Sequence, residues 1–279
     1  MSTRTGLLKY PGGKSYLADS IVYHLPPGHY TRYVEPFLGG GAVLLAYGTR
    51  PGVQRIGSDM YNGLITLWRF VSRQGELIWG CDENNRPYRT FLDAVQELKY
   101  NQKTFEVWRK MAPTCEFEDA IRTLVMHRFS RGGDGRSFAW SERLRGGKPG
   151  DVNAWENFVA ALPGIAASVR DVTFEVRDVL DSIAQYDAPD TLWYMDPPYV
   201  HETRVSTALY THEMTDAQHE ALVARLRTLR GGCVVSGYRH PLYDSLHWPS
   251  VSYNVPCNQA QTAIKSRREE VLWIKEPTV

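Results

Sequence analysis

The chain has 279 residues, enough for one large α/β domain carrying a smaller inserted one. A hydrophobic fraction of 43% and a charged fraction of 23% are those of a globular protein and exclude disordered, collagen-like and coiled-coil readings. The formal net charge of +1 gives no global electrostatic argument for nucleic acid, so such a surface has to come from a local patch.

Met1 to Lys9 lacks the apolar stretch of a signal peptide, and no run approaches the roughly 18 apolar residues of a membrane span. A cytoplasmic protein with no membrane partner is expected. Cys81, Cys115, Cys233 and Cys257 form no Cys-x-x-Cys pair and no zinc spacing, and read as reduced, mostly packed thiols with no metal.

In chain order, the first motif is KYPGGKS, Lys9 to Ser15. A lysine behind paired glycines and before serine resembles the end of a triphosphate loop, but that loop needs a further glycine where this chain has Leu8. RYVEPF (Arg32 to Phe37) and VQRIGSD (Val53 to Asp59) then read as strands. Each precedes helical apolar spacing, at Ala42 to Ala46 and at Leu64, Ile65, Trp68 and Val71. This is a βαβ rhythm. VEPFLGGGAV (Val34 to Val43) has the order strand, Glu-Pro, glycines, helix, which suits the nucleoside-binding edge of a doubly wound sheet. Glycines there let the backbone approach a ligand because no Cβ intervenes. Asp59, eighteen residues beyond Gly41, stands where an acidic residue accepts from ribose hydroxyls. The plainer alternative is that the glycines only make a turn and Asp59 caps a helix starting near Tyr61.

Between about Glu76 and Val169 the rhythm changes to longer helical segments, around Tyr88 to Tyr100 and Glu118 to Phe129, broken by the loop SRGGDGRSFAWSERLRGGKPGD. An inserted, largely helical domain is expected. From Arg122 to Lys148 the cations Arg122, Arg128, Arg131, Arg136, Arg143, Arg145 and Lys148 outnumber Asp134 and Glu142. With Phe138 and Trp140 they make a candidate surface for phosphates and an opened base, and His127 adds a polar group; the alternative is a solvated loop. Lys265, Arg267 and Arg268 form a smaller patch.

Four more strands follow: VTFEV (Val172 to Val176), TLWYMD (Thr191 to Asp196), CVVSG (Cys233 to Gly237) and EVLWI (Glu270 to Ile274). A mostly parallel sheet fits them. Between them, Asp216 to Arg230 reads as a helix with a Thr215/Gln218 capping box, an apolar stripe of Leu222, Leu226 and Leu229, and a stop at Gly231-Gly232. The sharpest motif is DPPY, Asp196 to Tyr199, directly after TLWYM. It sets a carboxylate, a carbonyl on a residue without an amide hydrogen, and an aromatic face at the carboxyl edge of the sheet, where ligands bind.

KYPGGK, VEPFLGGGAV, SDMYN (Ser58 to Asn62), FEVRD (Phe174 to Asp178), DPPY and SGY (Ser236 to Tyr238), in this order, resemble the Dam-type, D12 class DNA adenine-N6 methyltransferases. The matching segments frame nearly the whole chain. The resemblance implies a Rossmann-like methyltransferase fold: residues 1–75 and 170–279 as the catalytic domain and 76–169 as an inserted target-recognition domain. It implies S-adenosylmethionine as cofactor. Tyr10, Pro11, Gly12, Gly13 and Lys14 would wall its methionine part, and Glu35, Pro36, Phe37, Gly39, Gly40 and Gly41 would cover its amino-acid end. Asp59 would hold the ribose and Asp178 the adenine amino group. Asp196, Pro197, Pro198 and Tyr199 would be the catalytic tetrapeptide beside the cofactor. The partner implied is double-stranded DNA, met by Arg128, Arg131, Arg136 and Lys148, and a restriction enzyme is a compatible second partner. HRFSRGGDGRSF (His127 to Phe138) departs from the asparagine-arginine hairpin of the GATC-specific members, so GATC specificity is not implied. Two alternatives stand beside this reading: methylation of RNA or of another amide-like nitrogen, whose enzymes more often carry Ser or Asn in place of Asp196, and a binding protein of this fold without turnover.

Overall fold

The computed structural model describes residues 6–10, 12–73, 90–145, 147–200, 213–256 and 267–278. Pro11, Cys81, Tyr88, Cys257 and Lys265 lie outside the described residues. In chain order the elements are α1 (Ala18–Tyr23), β1 (Arg32–Glu35), α2 (Ala42–Tyr47), β2 (Gln54–Asp59), α3 (Asn62–Ser72), α4 (Phe91–Glu97), α5 (Gln102–Lys110), α6 (Glu116–Phe129), β3 (Leu144–Arg145), β4 (Lys148–Pro149), α7 (Gly150–Val169), β5 (Val172–Val176), α8 (Val179–Tyr186), β6 (Thr191–Met195), α9 (Asp216–Leu226), β7 (Gly232–Tyr238), α10 (Pro241–Asp244), β8 (Ser250–Pro256) and β9 (Arg267–Lys275).

Seven strands form one sheet in the order β5-β2-β1-β6-β7-β9-β8. β1 runs parallel to β2 and β6, and β6 parallel to β7, whereas β9 is antiparallel to both β7 and β8. The expected mostly parallel α/β sheet is therefore present, with an antiparallel end. β8 was not predicted, and it is an edge strand, whose sequence SVSYNVP need bury no continuous apolar face.

The chain divides into two compact units. One comprises residues 1–15, 39–49 and 61–174, and the other residues 16–38, 50–60 and 175–279. The segment 76–169 falls wholly within the first, which also takes in the N-terminal segment and the turn between β1 and α2.

In the second unit the sheet has two unlike faces. All five residues of β6 are buried. Successive side chains of a strand point to opposite faces, and the register pairs Val34 with Trp193, Trp193 with Cys233 and Met195 with Val235. These five pack with Ile183 of α8 and Leu222, Leu226 and Leu229 at and beyond α9 into one hydrophobic core. The alternate positions carry Tyr33, Glu35, Tyr194 and Ser236, equally buried but polar.

In the first unit, α6 and α7 pack against α3. Phe70, Phe91 and Phe117 form one aromatic cluster and Phe129, Trp155 and Phe158 another, with centroid separations from 4.9 to 6.3 Å. α7 was not predicted. Its buried face, Trp155, Phe158, Leu162, Ile165, Ala166 and Val169, has helical spacing, but the preceding GGKPG and the internal Pro163 read as loop. α4 begins at Phe91, where Thr90 Oγ1 accepts from Asp93 N (3.2 Å), and ends at Glu97, short of the expected Tyr100. Among the described residues no helix is long and apolar enough to cross a membrane.

α9 starts where expected, and both halves of the capping box form: Thr215 Oγ1 accepts from Gln218 N, and Gln218 Oε1 from Thr215 N (2.8 Å). It ends at Leu226 instead of Arg230, because residues 227–229 tighten into turns in which Thr228 and Leu229 donate to Arg225 and Leu226 carbonyls; Leu229 stays buried. Thr215→Ala should lower stability by about 1 kcal/mol, read as a shift of the denaturant midpoint; an unchanged midpoint would show that the cap contributes nothing here.

Candidate active site

Strand order and strand ends together define the carboxyl edge of the second unit's sheet. Asp59 is the last residue of β2 and Glu35 of β1, Asp196 directly follows β6, Asp178 follows β5 by two residues, and Tyr238 ends β7. Across the order β5-β2-β1-β6-β7 the edge reads Asp178, Asp59, Glu35, Asp196, Tyr238. Four carboxylates on neighbouring strand ends suit a ligand rich in hydroxyl and amine donors and carrying positive charge.

Each is held locally. Glu35 is buried, and its Oε2 accepts from Tyr33 OH at 2.9 Å. Arg177 N donates to the Asp59 carbonyl (3.3 Å) and Leu38 N to the Ser58 carbonyl (3.0 Å), which ties the ends of β1, β2 and β5 together. Asp178 is the N-cap of α8, its Oδ1 accepting from Leu180 N at 2.8 Å. The N-cap residue of α3 is Tyr61, whose side chain makes no cap hydrogen bond. Asp196 Oδ1 accepts from Ser236 Oγ (2.8 Å), which lies 2.8 Å from Tyr194 OH. Pro197 is buried and Pro198 partly so. The Tyr199 hydroxyl donates to Glu270 Oε2 of β9 (3.2 Å), and its ring stacks on Tyr238 at 4.0 Å with 12° between planes. One face of Tyr199 is thus covered by protein. Ser236, Tyr194 and Glu270 had no assigned role in the sequence, since a contact across strands leaves no local pattern.

In the first unit Leu8 and Tyr10 lie against the glycine turn. Lys14 is 3% exposed and its Nζ donates to the Gly12 carbonyl (3.1 Å), so it is not displayed as a triphosphate-loop lysine would be. A Cβ on Gly39 would come within 3.2 Å of the Tyr10 ring. Gly41 has φ +61°, and a Cβ there would meet the Trp68 ring at 2.5 Å, while Trp68 Nε1 donates to the Gly39 carbonyl (3.2 Å). For Gly41 the demand is structural.

The basic loop is less open than its composition implied. Gly133, at φ +79°, lies so close to the Lys9 carbonyl that any Cβ would collide with it. His127 Nδ1–H donates to the Gly133 carbonyl (2.9 Å), and its ring stacks on Tyr10 at 5.3 Å. Arg128 needs correction. It is 9% exposed, its guanidinium donates to the Leu7 carbonyl (2.8 Å) and the Gly6 carbonyl, and it lies 3.9 Å over the Phe158 ring, so it braces the N-terminal segment instead of reaching phosphate. Burial pushes its pKa down to about 9, so it remains a cation at neutral pH. Phe138 packs between Tyr100 and Phe105 (5.2 and 6.0 Å), which leaves Trp140 as the exposed ring. Arg131 and Arg136 are exposed, and Lys148 is exposed and paired with Glu156 at 2.7 Å. Of the two described cysteines, Cys233 is buried as expected and Cys115 is exposed.

An open, mostly parallel sheet with a carboxylate-lined edge and DPPY at the end of a central strand is the arrangement of the Rossmann-like methyltransferase fold. The family model of the D12 class N6 adenine-specific DNA methyltransferases matches residues 10–246, and the chain belongs to that family. It is 28% identical over 234 residues to a DNA adenine methylase of Salmonella typhimurium, covering 80% of this chain and 77% of that one. It is 28% identical over 228 residues to the DNA adenine methylase of Escherichia coli K12, covering 80% and 75%. To the Type II methyltransferase M.MjaIII of Methanocaldococcus jannaschii it is 23% identical over 236 residues, covering 80% and 79%. The chain is a site-specific DNA adenine methyltransferase, and DNA is its substrate.

Two predictions concern the first unit. Arg128→Ala should destabilise the protein by about 2–4 kcal/mol, since it strands two backbone acceptors and opens the Phe158 face; a variant melting like the parent would contradict the bracing role. Burial holds the His127 pKa below its ordinary 6.5. As pH falls through and below that ordinary value, the unfolded chain takes up the proton before the native one, so stability should fall with pH, and His127→Gln should flatten the dependence. Parallel pH profiles of Tm for parent and variant would rule this out.

Proposed function

We propose that the chain transfers a methyl group from S-adenosylmethionine to N6 of an adenine flipped out of double-stranded DNA. The observation that carries this reading is Asp196-Pro197 at the end of a fully buried central strand, on an edge it shares with Glu35, Asp59 and Asp178. The carboxylates fit the cofactor, a cation with an ammonium group, two ribose hydroxyls and an adenine amino group. Asp59 takes the ribose, Asp178 the adenine amine, and Glu35, Pro36, Phe37, Gly39, Gly40 and Gly41 the amino-acid end. Tyr10, Pro11, Gly12, Gly13 and Lys14 wall the methionine part. When bound, S-adenosylmethionine supplies an electrophilic methyl group on a sulfonium.

The difficulty lies with the adenine, whose N6 lone pair is delocalised into the ring. Asp196 accepts one N6 hydrogen and the Pro197 carbonyl the other, which draws the nitrogen towards a tetrahedral form with its lone pair directed outward. The bond following that carbonyl leads to Pro198, which carries no amide hydrogen of its own. Both hydrogen bonds strengthen as positive charge develops on N6. Tyr199 stacks on the base, and base flipping brings the adenine within reach. Fixing the reactants in this way supplies much of the acceleration.

For the DNA, Arg131 and Arg136 contact phosphates and Trp140 offers its exposed ring to an opened strand. Lys148 joins them by leaving Glu156, an exposed ion pair worth at most about 1 kcal/mol.

Asp196→Ala should lower the single-turnover methylation rate by at least about 10²-fold while cofactor affinity stays within about twofold; a near-parental rate would end this mechanism. Tyr199→Ala should weaken capture of the extrahelical base, read as a loss of fluorescence from 2-aminopurine at the target position. Arg136→Ala should leave melting unchanged and reduce the salt slope of DNA binding by about one.

A further inference from the structure

We propose that Ser236 and Tyr194 are positioning residues for methyl transfer: a buried hydroxyl pair that fixes the orientation of the Asp196 carboxylate. The inference rests on the assignment of Asp196 as an acceptor for N6.

A carboxylate only accepts, so the 2.8 Å contact between Ser236 Oγ and Asp196 Oδ1 consumes the serine hydrogen. The 2.8 Å contact between Ser236 Oγ and Tyr194 OH must then be donated by the tyrosine. The chain therefore runs one way, from Tyr194 O–H to Ser236 O–H to Asp196 Oδ1, and each donor is polarised by the next acceptor. The pairing of Met195 with Val235 sets Asp196 level with Ser236 on adjacent parallel strands. Tyr194, two residues before Asp196, projects from the same face. Tyr194 is 1% exposed and Ser236 is fully buried, so both hydroxyls are shielded from bulk water.

Packing alone does not explain the serine. The preceding β7 residues Cys233, Val234 and Val235 are apolar and fully buried, and a hydroxyl following them costs free energy unless it is hydrogen-bonded. Serine is a poor choice for a buried strand interior, and such local inconsistencies concentrate where a site needs them. With Oδ1 held, rotation about χ2 of Asp196 is blocked, which fixes where both oxygens point. Without Ser236 the carboxylate can turn, and an ångström of misplacement of a reacting group costs as much as about 10²-fold in rate.

The test is single-turnover methylation of duplex DNA, with cofactor and DNA affinities measured alongside. Ser236→Ala should lower the rate by roughly 10- to 100-fold with both affinities within about twofold. Ser236→Cys, with a weaker donor, should fall between parent and alanine variant. Tyr194→Phe should lose roughly two- to fivefold, because it acts only through the serine. The double variant Tyr194→Phe/Ser236→Ala should then be no slower than Ser236→Ala alone. A Ser236→Ala rate within twofold of the parent, a loss confined to affinity, or effects that multiply in the double variant would overturn the proposal. If Ser236→Ala melts below the assay temperature, Tyr194→Phe decides alone, since it removes one oxygen and no packing volume: a rate within experimental error of the parent would refute the relay. Asp196→Ala in the same assay separates the two levels. An active Asp196→Ala removes the premise, whereas an inactive one beside a parental Ser236→Ala removes only this inference.

Discussion

Everything at the candidate active site depends on the register of β6. All five of its side chains are buried, but Trp193 and Met195 join the apolar core while Tyr194 belongs to the polar face with Glu35 and Ser236. A slip by one residue would exchange the two sets, driving a tyrosine hydroxyl into hydrocarbon and leaving tryptophan among hydrogen-bonding groups. The strand therefore has one admissible position between β1 and β7. That position delivers Asp196 to the sheet edge, and the two prolines that follow stop the strand there.

The polar face adds a finer level of control. Three tyrosine hydroxyls end on carboxylates or their partners: Tyr33 on Glu35, Tyr194 on Ser236 and through it Asp196, and Tyr199 on Glu270. Such bonds contribute about 0.5–1.5 kcal/mol net to folding, or about 1.5–3 kcal/mol where the acceptor is charged, and the apolar face carries the larger share of the stability. What the tyrosines contribute is direction. Side chains that must meet a small nitrogen or a flat base are locked by neighbours on other strands, and a preorganised site needs little rearrangement at the moment of reaction. The antiparallel end of the sheet takes part as well, since β9 supplies Glu270.

Much of this was readable from the sequence because it is written locally. β5 runs over Val172–Val176 as its alternation predicts, the Thr215/Gln218 capping box forms, and the glycine turn follows the strand that Val34 and Glu35 announce. Motif order alone pointed to the family. What escaped was non-local or locally disguised. Pro163 and the GGKPG run hid α7, though its buried face keeps helical spacing. β8 is an edge strand with little to bury. Arg128 counted as one more cation in a basic stretch, and only the fold reveals carbonyls and a phenyl ring around it. Ser236 belongs to the SGY motif, but its contact with Asp196 spans forty residues of sequence.

The most direct measurement of the central claim is incubation of the purified protein with methyl-deuterated S-adenosylmethionine and unmethylated DNA, followed by digestion to nucleosides and mass spectrometry. The expected product is deuterium-labelled N6-methyldeoxyadenosine. Absence of label in adenine, with cofactor binding demonstrated in the same preparation, would contradict the assignment of DPPY as the methyl-transfer site for DNA adenine.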